Sequence, residues 1–381
     1  MVKSKRLQFG GLCEERRLRF TMEMNHRIEK ILEEKAKLID KCIEKYVPRK
    51  ITEDWILFKI SPPKGELDLQ ALNKTILEPF WEFLDRGGKR WRAALFLLLC
   101  EALGSDPDEF LEFAAIPEII HNGTLIADDI EDSSNFRRGK PCTYKLYGLD
   151  VAINLSSFMY FIPLLSLSEN IGKLSEEKAR RIYEIYVNEM INLSLGQAID
   201  IAWHKKLIPT SNTSQEQYLQ MCAYKTGTLA RMAAKMAAVI SDVGNEEVEK
   251  IGKFAESIGI AFQIQDDILD IIGEKFAEGK GGLGMDITEG KLSIIVIYTL
   301  KEAELEDKEE LKRILEMHTK DEAHRMKAIS IIRKYGSIEY ARNLAARILE
   351  DGWNEVSNIL PSSKAKETLR MFSEYLIKRQ I

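Results

Sequence analysis

Residues 121–141 read HNGTLIADDIEDSSNFRRGKP. Apolar Leu125, Ile126 and Ala127 run directly into Asp128, Asp129, Glu131 and Asp132, and Arg137, Arg138 and Lys140 follow. A second stretch, FQIQDDILDI at 262–271, repeats the spacing with Asp266, Asp267 and Asp270. In both, the outer carboxylates are four positions apart, so on a helix they leave one face a single turn from each other. Like charges so placed cost a helix about 0.2–0.5 kcal/mol per pair. A structural role gains nothing from them, and a cation is expected to offset the repulsion.

Both clusters end long apolar segments with helical spacing, and the rest of the chain is similar. The pattern predicts helices over 25–46, 68–84, 89–103, 107–132, 150–169, 175–203, 214–241, 245–273 and 289–303, with several more through 306–378. Ser175 before Glu176, and Ser214 three positions before Gln217, read as helix starts. No Asn-Gly or Asp-Gly hairpin with alternating flanks is found. The segment 273–290, with six glycines, predicts a mobile loop. No long polar linker divides the chain, so the fold class is all-α, a single large bundle of long helices over 23–381.

Composition sets limits on partners. The 381 residues are 45% hydrophobic and 30% charged, enough apolar material for a sizeable core. A net charge of -5 gives no basic face for nucleic acid, so any anion must be bound locally. The five cysteines are scattered and lack a CxxC pair, as in reduced cytoplasmic proteins. The apolar run Leu155 to Leu167 is short and contains Pro163, so it reads as a core helix and no integral membrane segment is expected. Residues 1–22 carry a basic excess without an apolar signal core. They read as a disordered basic tail, or as a start placed ahead of Met22 or Met24.

Carboxylates without neighbouring Cys or His suit magnesium, which is usually completed by water and substrate phosphate. A solvated acidic face would account for one cluster, but two of the same spacing favour metal. Phosphate-binding cations are at hand. Gly87-Gly88 precede Lys89, Arg90 and Arg92, and let the backbone approach an anion at a helix start. Lys225-Thr226-Gly227 stands in an apolar helical stretch where a lone lysine requires a partner. The glycine-rich segment adds Lys280 and Lys291, and His121 lies two helical turns before Asp128. Each motif alone is also compatible with a turn, a snorkelling lysine or a core histidine.

Taken in order, GGKRWR, HNGTLIADDIEDSSNFRRGKP, GQAID, YKTGTL, FQIQDDILD and GKGGLGMDITEGK resemble the trans-isoprenyl diphosphate synthases over Lys89 to Ser293. Within that family the first acidic stretch is most similar to the geranylgeranyl diphosphate synthases. The resemblance implies an isoprenoid synthase-like bundle around a central cavity. It also implies a homodimer whose substrates are isopentenyl diphosphate and an allylic diphosphate. About three Mg2+ ions would be held by Asp128, Asp132 and Asp266. Asp270 is a further metal candidate, and Asp129, Asp267 and Asp270, with Gln197 and Asp200, would give supporting contacts. Arg137, Lys225, Thr226, Gln263, Lys280 and Lys291 would meet the allylic diphosphate. Lys89, Arg92, His121 and Arg138 would hold that of isopentenyl diphosphate. Asp128, Asp129, Asp132, Lys225, Asp266 and Asp267 are the expected catalytic set. Ala93 departs from the proline that is common after the GGKRxR motif.

In such a family the product grows past the first acidic cluster. Gly123 and Thr124, both small, leave the wall open there, which disfavours a farnesyl product. Ile120, Phe158, Met159, Tyr160 and Phe161 are candidates for the floor, or for ordinary core packing. Geranylgeranyl diphosphate is the expected product, with a longer polyprenyl diphosphate as the alternative. A terpene cyclase is the rival class, but Lys89 and Arg92 would then have no purpose.

Overall fold

The computed structural model describes residues 2–59, 63–209, 213–273 and 282–378, with side chains from residue 23 on, Phe58 excepted. In chain order the helices are α1 (Val2–Tyr46), α2 (Glu53–Lys59), α3 (Leu69–Leu72), α4 (Glu78–Leu84), α5 (Trp91–Leu103), α6 (Leu111–Glu131), α7 (Thr143–Tyr147), α8 (Leu149–Asn170) and α9 (Glu176–His204). There follow α10 (Gln215–Cys222), α11 (Thr228–Ile240), α12 (Asn245–Ile272), α13 (Met285–Thr288), α14 (Ile294–Glu302), α15 (Leu305–Glu316), α16 (Glu322–Lys334), α17 (Ser337–Val356) and α18 (Lys364–Lys378). The all-α expectation holds. α1 takes in the basic segment 2–22.

α5 has no polar stripe, and the polar positions Thr228 and Arg231 of α11 are themselves buried. Trp91 to Cys100 and Thr228 to Ala234 are buried throughout, as expected of helices enclosed by others. The alanines of α11, at 230, 233, 234, 237 and 238, let α5, α9 and α12 approach it closely. α17 covers the far side of α12, and α6 pairs with α8. The two ends of the described chain, α1 and α18, pack on α5 and on each other. Ser175 and Ser214 cap α9 and α10 as read from sequence, and Ser214 and Gln217 form a reciprocal capping box.

Three local expectations change. The continuous helix expected over 214–241 is interrupted by a five-residue π-helix, Ala223–Gly227, a local feature frequent at functional sites. Two glycines accommodate it. A Cβ on Gly196 of α9 would lie 2.3 Å from the Lys225 nitrogen, and one on Gly259 of α12 would lie 2.5 Å from the Gly227 Cα.

A hairpin does occur, as the short antiparallel pair β1 (Phe136–Arg137) and β2 (Lys140–Pro141). Its turn residues are Arg138 and Gly139, with φ of 53° and 73°, the left-handed pair of a type I′ turn. Finally, the glycine-rich segment contains α13. Residues 274–281, and with them Lys280, lie outside the described residues.

α8 and the 3-10 turn that follows it, residues 149–173, are apolar and long enough, by length and composition only, to cross a membrane; 44% of an apolar 18-residue stretch within them is buried inside the protein. Pro163 lies within α8 without ending it.

Candidate active site

α6 and α12 both deliver their acidic C-terminal ends into one cavity of about 1400 Å³. Its wall includes Asp128, Asp132, Asp266 and Asp267, with Lys225, Thr226 and Gln263 between the two clusters. Lys89, Arg92, His121, Arg137 and Arg138 line it as well. Most of the residues singled out from sequence are thus brought together.

The carboxylate end is held by lysines. Lys225 Nζ lies 3.0 Å from Asp128 Oδ1 and also donates to Asp200. Gln197 Nε2 donates to Asp128 Oδ1 at 3.1 Å and to Glu131 at 2.6 Å. Lys291 Nζ lies 2.7 Å from Asp132 Oδ2 and 2.6 Å from Glu289. Burial alone would raise the Asp128 carboxyl, but Lys225, Lys291 and Arg137 overcome it and hold it far below the usual carboxylate range. Asp200 is shifted the same way: its burial is outweighed chiefly by Lys225. For Lys225 itself the two carboxylates outweigh burial, so its ammonium stays charged.

The expected roles of the remaining acids change. Asp129 faces away from the cavity wall: it is fully buried and accepts from Arg137 Nε at 2.8 Å. Asp270, four residues after Asp266, caps a helix. Its carboxylate accepts the backbone N–H groups of Met285 and Asp286, both at 3.2 Å, and its carbonyl accepts that of Gly284. The chain returning at Gly284 thus binds the carboxylate that helical spacing alone gives to metal. Asp267 accepts from Tyr218 Oη at 2.6 Å and from Gln263 Nε2 at 3.0 Å, and Thr226 donates to Gln263 at 2.9 Å. Burial, aided by Asp286, pushes its pKa up to about 7.

The other end is cationic with few anions. Arg138 Nη1 donates to Asn122 at 3.1 Å, while the neighbouring Arg137 reaches Asp128 and Asp129. Arg137 ends β1 and Arg138 opens the turn, so these adjacent arginines reach different ends of the cavity. Burial lowers the Arg92 and Arg138 guanidiniums to about 10, and Arg90 adds to the effect on Arg138. Burial and the surrounding arginines hold His121 well below its ordinary range, hence neutral. Lys89 Nζ donates to Tyr375 Oη of α18 at 2.9 Å. The expectation of a free helix start after Gly87-Gly88 is not met. Glu118 of α6 accepts the N–H groups of Arg92 and Ala93, at 3.1 and 3.3 Å.

Near the first cluster, Thr124 lines the cavity but Gly123 is no opening. A Cβ there would lie 2.9 Å from the Met159 Cβ and 3.1 Å from Tyr160 Cε1. The glycine admits α8, whose Ser156 donates to the Gly123 carbonyl. Phe161, 68% exposed, is no floor, while Ile120 and Met159 are fully buried in the core.

Sequence reading missed Glu118, Tyr218, His204 and Tyr375. Only Glu118, a lone acid in the apolar run AAIPEII, carries a local signal.

A divalent cation fits the carboxylate end. Asp132 Oδ1 is buried and has no hydrogen-bond partner, and Asp128, Asp132 and Asp266 line the same cavity with hard carboxylate oxygens.

Residues 73–332 match the family model for polyprenyl synthetase. The chain is 32% identical to a short chain isoprenyl diphosphate synthase of Methanothermobacter thermautotrophicus, over 81% of this chain and 91% of that protein. It is 31% identical to a geranylgeranyl diphosphate synthase of Saccharolobus solfataricus, with the same coverage. The crystal structure of a geranylgeranyl pyrophosphate synthetase from Pyrococcus horikoshii superposes with a TM-score of 0.76 at 31% identity, covering 94% of this chain and 99% of that one. With facing acidic clusters, a cationic pocket and a matching family model in one chain, the protein belongs to the polyprenyl synthetase family of trans-prenyltransferases.

Proposed function

We propose that this enzyme condenses isopentenyl diphosphate with an allylic diphosphate to make all-trans geranylgeranyl diphosphate. The observation that carries this reading is the polarity of the cavity, with compensated carboxylates at one end and under-compensated cations at the other. Two diphosphates are thereby bound in different ways and kept in order.

The allylic diphosphate would lie at the carboxylate end. Divalent ions, about three Mg2+ in this reading, would be held there by Asp128, Asp132 and Asp266, and would neutralise the leaving group's charge. Lys225, Thr226, Arg137 and Lys291 would contact the same diphosphate, with Gln263 fixing the Thr226 hydroxyl; Lys280 belongs to this set. As the C–O bond breaks, the fixed ammonium and guanidinium groups stabilise the charge that develops on the departing oxygen. Lys89, Arg92, His121 and Arg138 would hold isopentenyl diphosphate, whose double bond attacks the allylic carbon. With no side-chain base in evidence, the departing diphosphate is the natural acceptor of the proton that is lost.

The product reading takes Tyr160, whose ring carbon lies 3.1 Å from where a Cβ on Gly123 would stand, as the limiting side chain, since Phe161 is exposed. A homodimer is part of the proposal. Val187, Ile191 and Leu195 on α9, and Ile153 and Phe161 on α8, are exposed apolar side chains at helical spacing, as an interface requires. One catalytic domain over 23–381 and a cytoplasmic setting complete it; Cys42, Cys100, Cys142 and Cys222 are buried free thiols. Incubation with both diphosphates and Mg2+ should release inorganic diphosphate, and release should cease with a chelator. Release from the allylic diphosphate alone, with a hydrocarbon product, would instead indicate a cyclase.

A further inference from the structure

Arg86 follows α4 and does not line the cavity, yet its side chain is fully buried. Burying a guanidinium is costly unless its N–H groups are matched. Here they are. Nε and Nη2 donate to Glu82, one helical turn earlier, at 3.0 and 2.7 Å. Nη1 donates to the Arg137 carbonyl at 3.1 Å, and Nη2 donates also to the Pro141 carbonyl at 2.9 Å. Those carbonyls belong to β1 and β2, so one planar group ties both strands of the hairpin to the end of α4. Glu82 makes a further tie, accepting from Lys140 of β2 at 3.3 Å.

The hairpin is the segment that brings Arg137 and Arg138 to the cavity. A two-stranded hairpin is marginal on its own, so its orientation is set by what holds it. An ordinary ion pair one turn apart on a helix would point to water. This one is buried and aimed at the hairpin backbone. Its neighbour Gly88 makes room for the next arginine, since a Cβ there would lie 3.2 Å from Arg138 Nη2. The Arg86 and Arg138 guanidiniums also lie over the same Phe83 ring, 5.3 and 5.2 Å from its centroid.

We infer that Arg86 is a positioning residue, which fixes the hairpin so that Arg138 meets the diphosphate of isopentenyl diphosphate. It acts through the backbone of the hairpin and touches no substrate itself. The inference rests on the substrate role proposed for Arg138 and names what holds that arginine in place.

A double-mutant cycle tests it, read by calorimetric titration of isopentenyl diphosphate into the full chain with chelator present. Arg86→Met should weaken binding about ten-fold, as expected when hydrogen bonds from a charged group are lost. Arg138→Met should weaken it at least as much, and adding Arg86→Met to that variant should cost no more than about two-fold further. A merely structural role would instead give the same loss in both backgrounds. Where Arg86→Met does not fold, Arg86→Lys replaces it in the cycle; it keeps the charge without the planar fork and should weaken binding about three-fold. Unchanged affinity in the variant used, or an Arg86 effect as large with Arg138→Met as without it, overturns the inference while leaving the pocket's role intact. Wild-type protein that binds no isopentenyl diphosphate defeats the substrate reading of the cationic pocket, and the inference with it.

Discussion

Gly196→Ala separates two opposing effects at one atom. In an ordinary helix interior, alanine for glycine stabilises by about 1 kcal/mol. Here the new Cβ would stand 2.3 Å from the Lys225 nitrogen, 2.6 Å from the Tyr224 carbonyl carbon and 2.8 Å from the Lys225 Cα. All three are backbone atoms, so no side chain can swing aside. α9 and the π-helix must part by about 1 Å to restore van der Waals contact. Overpacking of this kind costs about 1–3 kcal/mol, enough to cancel the helix gain and lower Tm by a few degrees. The larger effect is on catalysis, because the displaced segment carries Lys225 and Thr226. A shift of about 1 Å in a positioned group can cost about 100-fold in rate. Steady-state kinetics with both diphosphates, paired with thermal unfolding, should show kcat reduced by about two orders of magnitude in a protein that is still folded. An alanine variant as stable as wild type, or more so, with at least half its kcat would refute the close approach and the positioning argument together.

Other consequences follow from the same geometry. Lys225→Met should lower the Tm of chelator-treated protein at neutral pH, breaking a buried pair being worth about 3–5 kcal/mol. Because Asp128 and Asp200 are held below the usual range, that stability is present above about pH 4 and lost as the pH falls through their depressed values. The gap between variant and wild type should therefore close on acidification, and a gap that widens contradicts the pairing. Tyr160→Ala should lengthen the prenyl product seen by chromatography, whereas Phe161→Ala should leave its length unchanged; the reverse pattern would place the floor elsewhere. Val187→Asp with Ile191→Asp should shift the sedimentation of the protein from dimer to monomer, and an unaltered dimer would remove α9 as the interface.

Much of the site was legible because it is periodic. Asp128 in the last turn of α6, Asp132 just past its end, and Asp266 near the end of α12 reach a common cavity. What remained hidden depends on contacts between distant segments. The i to i+5 register at Lys225 is set by Gly196 and Gly259, neither of which is marked locally as a contact. Asp270 has the spacing of a metal ligand, but the chain returning at Gly284 makes it a cap. Gly123 shows how a small residue misleads: sequence cannot say whether the missing side chain leaves space or admits a neighbour, and here it admits α8.

The most direct test of the central claim is chromatography of products made from labelled isopentenyl diphosphate and Mg2+ with dimethylallyl, geranyl and farnesyl diphosphates as primers. Geranylgeranyl diphosphate should accumulate from all three. Products no longer than farnesyl diphosphate, or no elongation from any primer, would contradict the account.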